Sequence, residues 1–143
     1  MKFWDTSAVV PVCVEEDNST SVREILVADE SVVVWWGTRT ECVSALARRT
    51  REGGLTRTDE RAARQVLHVL SQSWMEMQPS DAVRSMAERL LAVHPLRAAD
   101  ALQLAAAILW CGQHPAGQDF VTFDERLRDA SYREGFTVLP EAC

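Results

Sequence analysis

Residues 1–8 read Met-Lys-Phe-Trp-Asp-Thr-Ser-Ala, an apolar run that ends in an acid, two hydroxyls and a small residue. The run from Lys2 to Asp5 predicts a β-strand, and the residues from Thr6 to Ala8 turn the chain into a helix. Asp5 therefore comes at the carboxyl end of the first strand. Because ligands of open α/β sheets bind in the crevice outside such strand ends, Asp5 is a candidate site residue.

Further strands and intervening helices follow along the chain. Apolar or β-branched runs between turn residues predict strands at Ser31–Trp36, Trp74–Gln78, Phe120–Thr122 and Phe136–Leu139. Periodicity, N-cap residues and terminating glycines predict helices at Ala8–Glu16, from Ser19, at Thr38–Glu52, from Thr58, around Val83–Leu91, at Ala98–Cys111 and at Glu125–Glu134. Alternating strands and helices indicate an α/β fold, with a mainly parallel sheet of about five strands and helices on both faces.

Length and composition narrow the class of protein. A chain of 143 residues with 47% hydrophobic and 25% charged residues predicts one soluble domain over residues 1–143. We see no apolar run of membrane-spanning length and no secretion signal, so we expect a cytoplasmic protein with no membrane partner. Four scattered cysteines, without a C-x-x-C pair, are expected to be reduced thiols: Cys13, Cys42, Cys111 and Cys143.

Charge is distributed unevenly along the chain. The net charge of −6 argues against a protein that coats nucleic acid through charge alone. Residues 39–64, however, hold seven arginines against four acids, a local charge of +3. A solvated helix face explains such a segment. An arginine-lined approach for phosphates is the alternative, because guanidinium groups bind phosphate in a bidentate manner.

Four acids stand where carboxylates are hard to accommodate. Each follows a strand or lies in the first turn of a predicted helix: Asp5, Glu41, Asp100 and Asp124. We expect these positions to share one edge of the parallel sheet. Gathered carboxylates repel one another, and a hard divalent cation such as Mg²⁺ or Mn²⁺ removes that repulsion. Such a cation can activate water for attack on a phosphodiester.

Each of these acids also has a purely structural explanation. Asp5 and Asp124 could each cap the helix that follows. Glu41 could close a capping box with Thr38. Asp100 suits the positive end of a helix dipole. The apolar residues on both sides of Asp100 also predict burial, where a lone carboxylate is costly unless it is paired or metal-bound.

Four motifs occur in a fixed order along the chain: Asp5-Thr6-Ser7-Ala8, Glu41 leading Ser44–Arg48, Leu96–Ala105 around Asp100, and Val121–Leu127 around Asp124. Together they resemble the PIN-domain ribonucleases, specifically the VapC toxins of bacterial and archaeal toxin–antitoxin pairs. The resemblance covers essentially the whole chain and implies a PIN-like three-layer α/β/α sandwich. It also implies a Mg²⁺- or Mn²⁺-dependent endoribonuclease that acts as a toxin, forms a homodimer and is blocked by a cognate VapB-type antitoxin.

The same resemblance assigns roles to individual residues. It places the acidic quartet of the family on these four positions: Asp5, Glu41, Asp100 and Asp124. It implies that Thr6 or Ser7, together with Thr122, supports the acids or their bound waters. Arg97 matches an arginine that is frequent beside the third acid of the family.

The fourth acid and the basic end of the Thr38–Glu52 helix each allow two interpretations. Asp119 also precedes the fourth strand, but it would enter that strand at its amino end, so the geometry favours Asp124. Arg48 lies seven residues beyond Glu41, which is about two helical turns and therefore the same face. We expect Arg48 to contact RNA phosphates or an acidic antitoxin segment, with a solvated side chain as the alternative.

Two other functions fit the sequence. A nuclease of this fold could act outside a toxin pair, in RNA processing or on DNA. A catalytically silent PIN-fold module could instead work by dimerisation or regulatory binding. The presence of all four acids argues against the silent module.

Overall fold

A computed structural model describes residues 1–142 of the chain, so Cys143 lies outside the described residues. Its strands are β1 (Lys2–Trp4), β2 (Val32–Trp35), β3 (Met75–Met77), β4 (Asp119–Val121) and β5 (Thr137–Leu139). Its helices are α1 (Thr6–Cys13), α2 (Ser19–Ala28), α3 (Thr38–Arg51), α4 (Arg57–Ser73), α5 (Asp81–Val93), α6 (Ala98–Trp110) and α7 (Glu125–Glu134). Each predicted strand and helix is therefore present, and most of the ends differ from the prediction by one or two residues.

The five strands form one sheet in the order β3-β2-β1-β4-β5, and every neighbouring pair is parallel. This confirms the predicted parallel sheet. The chain runs outward from β1 through β2 to β3, and then returns to the other side of β1 to form β4 and β5. The strand order thus reverses between β1 and β4. Ligands bind at such a switch point in α/β folds.

Helices cover both faces of the sheet. Successive strand residues point to opposite faces, so apolar side chains on each face pack against a helix layer. Phe3 and Phe120 face the layer built from α5, α6 and α7, with their rings stacked at a centroid distance of 5.4 Å. Trp4 and Val121 face the layer built from α1, α2, α3 and α4. The predicted three-layer α/β/α sandwich is confirmed.

The turn after β1 is tighter than we expected. The amide nitrogen of Asp5 donates to the Val121 carbonyl oxygen at 3.0 Å, which continues the pairing of β1 with β4. The Asp5 carboxylate then accepts from the Ser7 amide at 3.2 Å and caps α1. Helix α1 therefore begins at Thr6, two residues before the predicted start. Among residues 1–142, no helix combines the length and apolarity needed to cross a bilayer.

Candidate active site

An open cleft at the carboxyl edge of the sheet brings the four acids together. Asp5 enters it from the end of β1, and Asp124 from the end of the loop after β4. Glu41 enters from the first turn of α3, and Asp100 from the first turn of α6. The cleft therefore lies over the switch point between β1 and β4, where the sequence places its first candidate residue.

Asp5 is the most buried of the four acids, with 5% of its surface exposed. Its Oδ2 atom accepts three hydrogen bonds: from Ser7 Oγ at 2.6 Å, from the Ser7 amide at 3.2 Å and from Thr122 Oγ1 at 2.9 Å. Within residues 1–142, no hydrogen bond reaches Oδ1. One oxygen is therefore fixed by the protein, while the other is left for a ligand.

The two hydroxyls that hold Asp5 also fix the loop that carries Asp124. Ser7 Oγ accepts from the Phe123 amide at 2.9 Å, and Thr122 Oγ1 accepts from the Asp124 amide at 3.1 Å. Each hydroxyl thus donates to Asp5 and accepts from the backbone amide of Asp124 or of the residue before it. Ser7 and Thr122 therefore contact both Asp5 and the backbone of the segment that carries Asp124.

Glu41 does not form the capping box with Thr38 that we considered. Helix α3 has Gly37 as its N-cap, so Glu41 lies one position too far along the helix for a capping box. Its Oε2 atom accepts from Thr6 Oγ1 at 3.2 Å, and its Oε1 atom accepts from Gln103 Nε2 at 3.2 Å. Both oxygens of this carboxylate are thus held by neighbouring side chains.

Asp124 caps α7, as its structural explanation predicts, and Asp100 caps α6, for which only the helix dipole was considered. Asp100 Oδ2 accepts from the Arg97 amide at 3.3 Å, and Asp124 Oδ1 accepts from the Leu127 amide at 3.0 Å. The predicted burial of Asp100 is wrong. It is half-buried, because the first turn of α6 borders the open cleft. Capping occupies one oxygen of each carboxylate, so it does not exclude a second role.

The charges of the four acids act on one another. Burial raises the pKa of Asp5, and the charge of Asp124 raises it further. Burial also raises the pKa of Glu41, with additional contributions from the charges of Asp5 and Asp100. Asp100 has a pKa that is raised by burial and then by the charge of Asp124. This mutual repulsion is the condition that a bound divalent cation relieves.

The donors fit a hard cation that keeps part of its water shell. In each of Asp5, Asp100 and Asp124, one carboxylate oxygen accepts no hydrogen bond from the described residues. Within residues 1–142, no group of three or more histidine, cysteine, aspartate or glutamate side chains is arranged so that it could hold a metal ion. Mg²⁺ commonly binds through one or two carboxylates and retains several waters. The cleft suits that mode of binding.

The remaining predicted residues lie in different places. Arg48 is exposed and lines the cleft, and it forms no ion pair with any residue from 1 to 142. Arg97 is exposed at the N-cap of α6 and does not line the cleft. Asp119 begins β4 at the opposite edge of the sheet, where its carboxylate accepts from Lys2 Nζ at 3.0 Å. The structure therefore separates Asp119 from the four acids.

Sequence reasoning missed one buried polar residue beside the cleft. Gln103 is 1% exposed, and its amide contacts Glu41. A signal was present, because Gln103 interrupts the apolar sequence of α6 one turn after Asp100. A polar residue at that spacing lies on the same helix face as the acid.

Comparisons with known proteins agree with this architecture. Residues 2–131 match the family described as PIN domain. Curated protein sequences give no significant match.

Solved structures from three organisms share the fold of this chain. VapC20 of Mycobacterium tuberculosis, described as a Sarcin-Ricin loop cleaving toxin, has a TM-score of 0.69 and 17% identity, over 96% of this chain and 97% of its own. PAE2754 from Pyrobaculum aerophilum has a TM-score of 0.66 and 20% identity, over 98% and 90%. FitAcB from Neisseria gonorrhoeae has a TM-score of 0.64 and 17% identity, over 96% of both chains.

Proposed function

Since this chain belongs to the PIN-domain family, we propose that it is an endoribonuclease that depends on Mg²⁺ or Mn²⁺ and acts as the toxin of a toxin–antitoxin pair. One observation carries the proposal: four carboxylates from distant parts of the chain line one cleft at the switch point of the sheet. Helix capping explains three of these acids one at a time, but a bound divalent cation would relieve the mutual repulsion of all four. The description of VapC20 as a Sarcin-Ricin loop cleaving toxin supports the choice of RNA.

All four acids are assigned to the cation, directly or through water: Asp5, Glu41, Asp100 and Asp124. When bound, the cation neutralises charge on the phosphodiester and makes water more acidic. Ser7 and Thr122 keep Asp5 in place through its Oδ2 atom. Because both are hydroxyl donors, they favour the ionised carboxylate that a cation requires.

Arg48 is assigned to the substrate. A cleft lined by carboxylates repels the phosphates of RNA, so productive binding needs positive charge nearby. Arg48 lines the same cleft and is exposed. The neighbouring Arg49 also lines the cleft but is paired with Glu16 at 2.7 Å. Arg48 is therefore the better placed of the two to meet a phosphate.

A cleavage assay with purified protein tests the proposed reaction. Wild-type chain is incubated with structured RNA and, separately, with single-stranded and double-stranded DNA, in Mg²⁺, in Mn²⁺ and in EDTA. We expect cleavage of RNA that requires the metal and is reduced at least 100-fold in Asp100→Asn and Asp124→Asn. Circular dichroism must show that both variants are folded.

Asp119→Asn is the matched control, because it makes the same chemical change at the opposite edge of the sheet. Activity in EDTA, or full activity in Asp100→Asn, would contradict the proposed mechanism. Cleavage of DNA in preference to RNA would instead support the alternative nuclease. Sequencing of the RNA ends identifies the cleavage site.

The toxin assignment and the proposed partners need separate measurements. We propose that a VapB-type antitoxin, encoded beside this chain, covers the acidic cleft and that the chain forms a homodimer. Expression of the wild-type chain is expected to stop growth, expression of Asp100→Asn is not, and co-expression of the adjacent small protein restores growth. Sedimentation equilibrium of the purified chain measures the dimer. Normal growth on expression of an active enzyme would contradict the toxin assignment.

A further inference from the structure

Gln103 is a polar side chain in an otherwise apolar place. Helix α6 is lined by alanine, leucine and isoleucine, and only 1% of the Gln103 surface is exposed. Burial of a carboxamide is unfavourable unless its polar atoms find partners. Packing alone therefore does not explain a glutamine at this position.

The amide group of Gln103 meets three acceptors from the opposite helix layer. Its Nε2 atom lies 2.9 Å from Thr38 Oγ1, 3.1 Å from Thr6 Oγ1 and 3.2 Å from Glu41 Oε1. Thr6 belongs to α1, and the other two residues belong to α3. A side chain from α6 thus reaches over the strand ends and joins both helix layers beside the cleft.

The orientation of this amide follows from the charge of Glu41. With the amide reversed, the carbonyl oxygen of Gln103 would face the Glu41 carboxylate, and two acceptors would oppose each other. In the orientation observed, Oε1 of Gln103 is buried and receives no hydrogen bond from residues 1–142. An unsatisfied buried acceptor is unfavourable. Gln103 therefore keeps its contact with Glu41 and leaves its own carbonyl oxygen without a hydrogen bond.

Nε2 carries two hydrogens but has three acceptors within reach. When both hydrogens bind the threonine hydroxyls, Oε1 of Glu41 loses this donor and can accept from another ligand. When one hydrogen binds Glu41, the carboxylate is held by Gln103 on one oxygen and by Thr6 on the other. The network can thus hold Glu41 in place and also release one of its oxygens.

We propose that Gln103 is a positioning residue that holds the Glu41 carboxylate at the cleft and thereby determines the affinity of the cleft for a divalent cation. The inference rests on the proposed function, since it assigns a partner to one of the four acids. Residues that orient the ligands of a metal typically change metal affinity 10- to 100-fold when they are replaced.

Titration calorimetry with Mn²⁺ alone, on the full chain and without RNA, tests the proposal. Gln103→Met keeps the length of the side chain but removes the donor, and we expect Mn²⁺ to bind at least ten-fold more weakly. The matched control is Leu104→Met, which introduces the same residue at the next buried position of α6. The control is expected to keep wild-type affinity. Should Gln103→Met not fold, Gln103→Asn places the amide one methylene short and carries the same expectation.

A double-mutant cycle separates positioning from a general structural effect. If Gln103 acts through Glu41, then Gln103→Met causes no further loss of Mn²⁺ affinity in a Glu41→Gln background, because the contact is already altered. An additive loss would overturn the inference, as would wild-type affinity in Gln103→Met. A wild-type chain that binds no Mn²⁺ would instead overturn the proposed function itself.

Discussion

Thr122 donates a hydrogen bond of 2.9 Å to Oδ2 of Asp5, although the two residues lie 117 positions apart in sequence. The bond joins the segments that follow β1 and β4, the two strands on either side of the switch point. It therefore fixes the geometry of the acidic cleft at its most buried carboxylate. Any change in this contact should affect folding and metal binding together.

Thr122→Val keeps the shape of the side chain and removes the hydroxyl. We expect the free energy of unfolding to fall by about 1–3 kcal/mol, because a hydrogen bond to a buried charged group is lost. Mn²⁺ affinity should fall about ten-fold. Urea denaturation and calorimetry measure the two effects. Thr122→Ser retains the hydroxyl, so it should preserve metal affinity, and an equal loss in both variants would contradict this role.

A divalent cation should stabilise the chain through the four acids. At about 100 times its dissociation constant, Mn²⁺ is expected to add about 2.7 kcal/mol to the free energy of unfolding. Asp100→Asn should lose most of this gain. Without metal the same variant should be at least as stable as wild type, because one of the repelling charges is gone. Thermal denaturation with and without Mn²⁺, at constant ionic strength, provides the comparison.

Asp119→Asn should have little effect on RNA cleavage or on the free energy of unfolding. Its carboxylate pairs with Lys2 at the amino edge of the sheet, and both side chains are partly exposed. Pairs of this kind contribute up to about 1 kcal/mol. We expect unchanged RNA cleavage and a loss of stability within that range. Loss of cleavage in a folded Asp119→Asn would identify Asp119 as part of the site and refute the choice of Asp124.

Gly37 is needed for space at the start of α3. A Cβ atom at this position would lie 2.6 Å from Nε1 of Trp35, whose ring is buried in the core. Gly37→Ala is therefore expected to destabilise the chain by about 1–3 kcal/mol, measured by urea denaturation. At Gly54 a Cβ atom has a nearest contact of 3.5 Å, so Gly54→Ala serves as the control. Equal stability of the two variants would refute the steric argument.

Cys13 should react slowly in the native protein. Burial raises the pKa of its thiol to about 12, so at pH 8 only about one ten-thousandth of it is thiolate. Alkylation by iodoacetamide, followed by mass spectrometry of the Cys13 peptide, should therefore be far slower in buffer than in urea. The native rate should rise with pH until about pH 12. Equal rates in buffer and urea at pH 8 would contradict the burial.

Much of the fold and of the candidate site could be predicted from the sequence, because both depend on local patterns. Periodicity and turn residues located every strand and helix. Asp5 and Asp124 could be placed at one sheet edge, since parallel strands end together. The ordered motifs then selected a family that the match over residues 2–131 shows.

Features that depend on distant packing could not be predicted. Gly37, and not Thr38, is the N-cap of α3, so Glu41 lies outside the capping-box position and contacts Gln103 instead. The partial exposure of Asp100 depends on how α6 meets the open cleft. Gln103 carries a visible signal, but its partners come from two other helices. Only the folded arrangement shows which of many polar residues it meets.

The central position of β1 has a consequence for the order of synthesis. The ribosome makes β1 first, yet its neighbour β4 begins at Asp119 and the donor Thr122 follows it. A nascent chain that ends before β4 lacks one of the two neighbours of β1 and the fourth acid of the cleft. If the chain cleaves RNA as we propose, translation itself delays that activity until β4 and Asp124 have been synthesised.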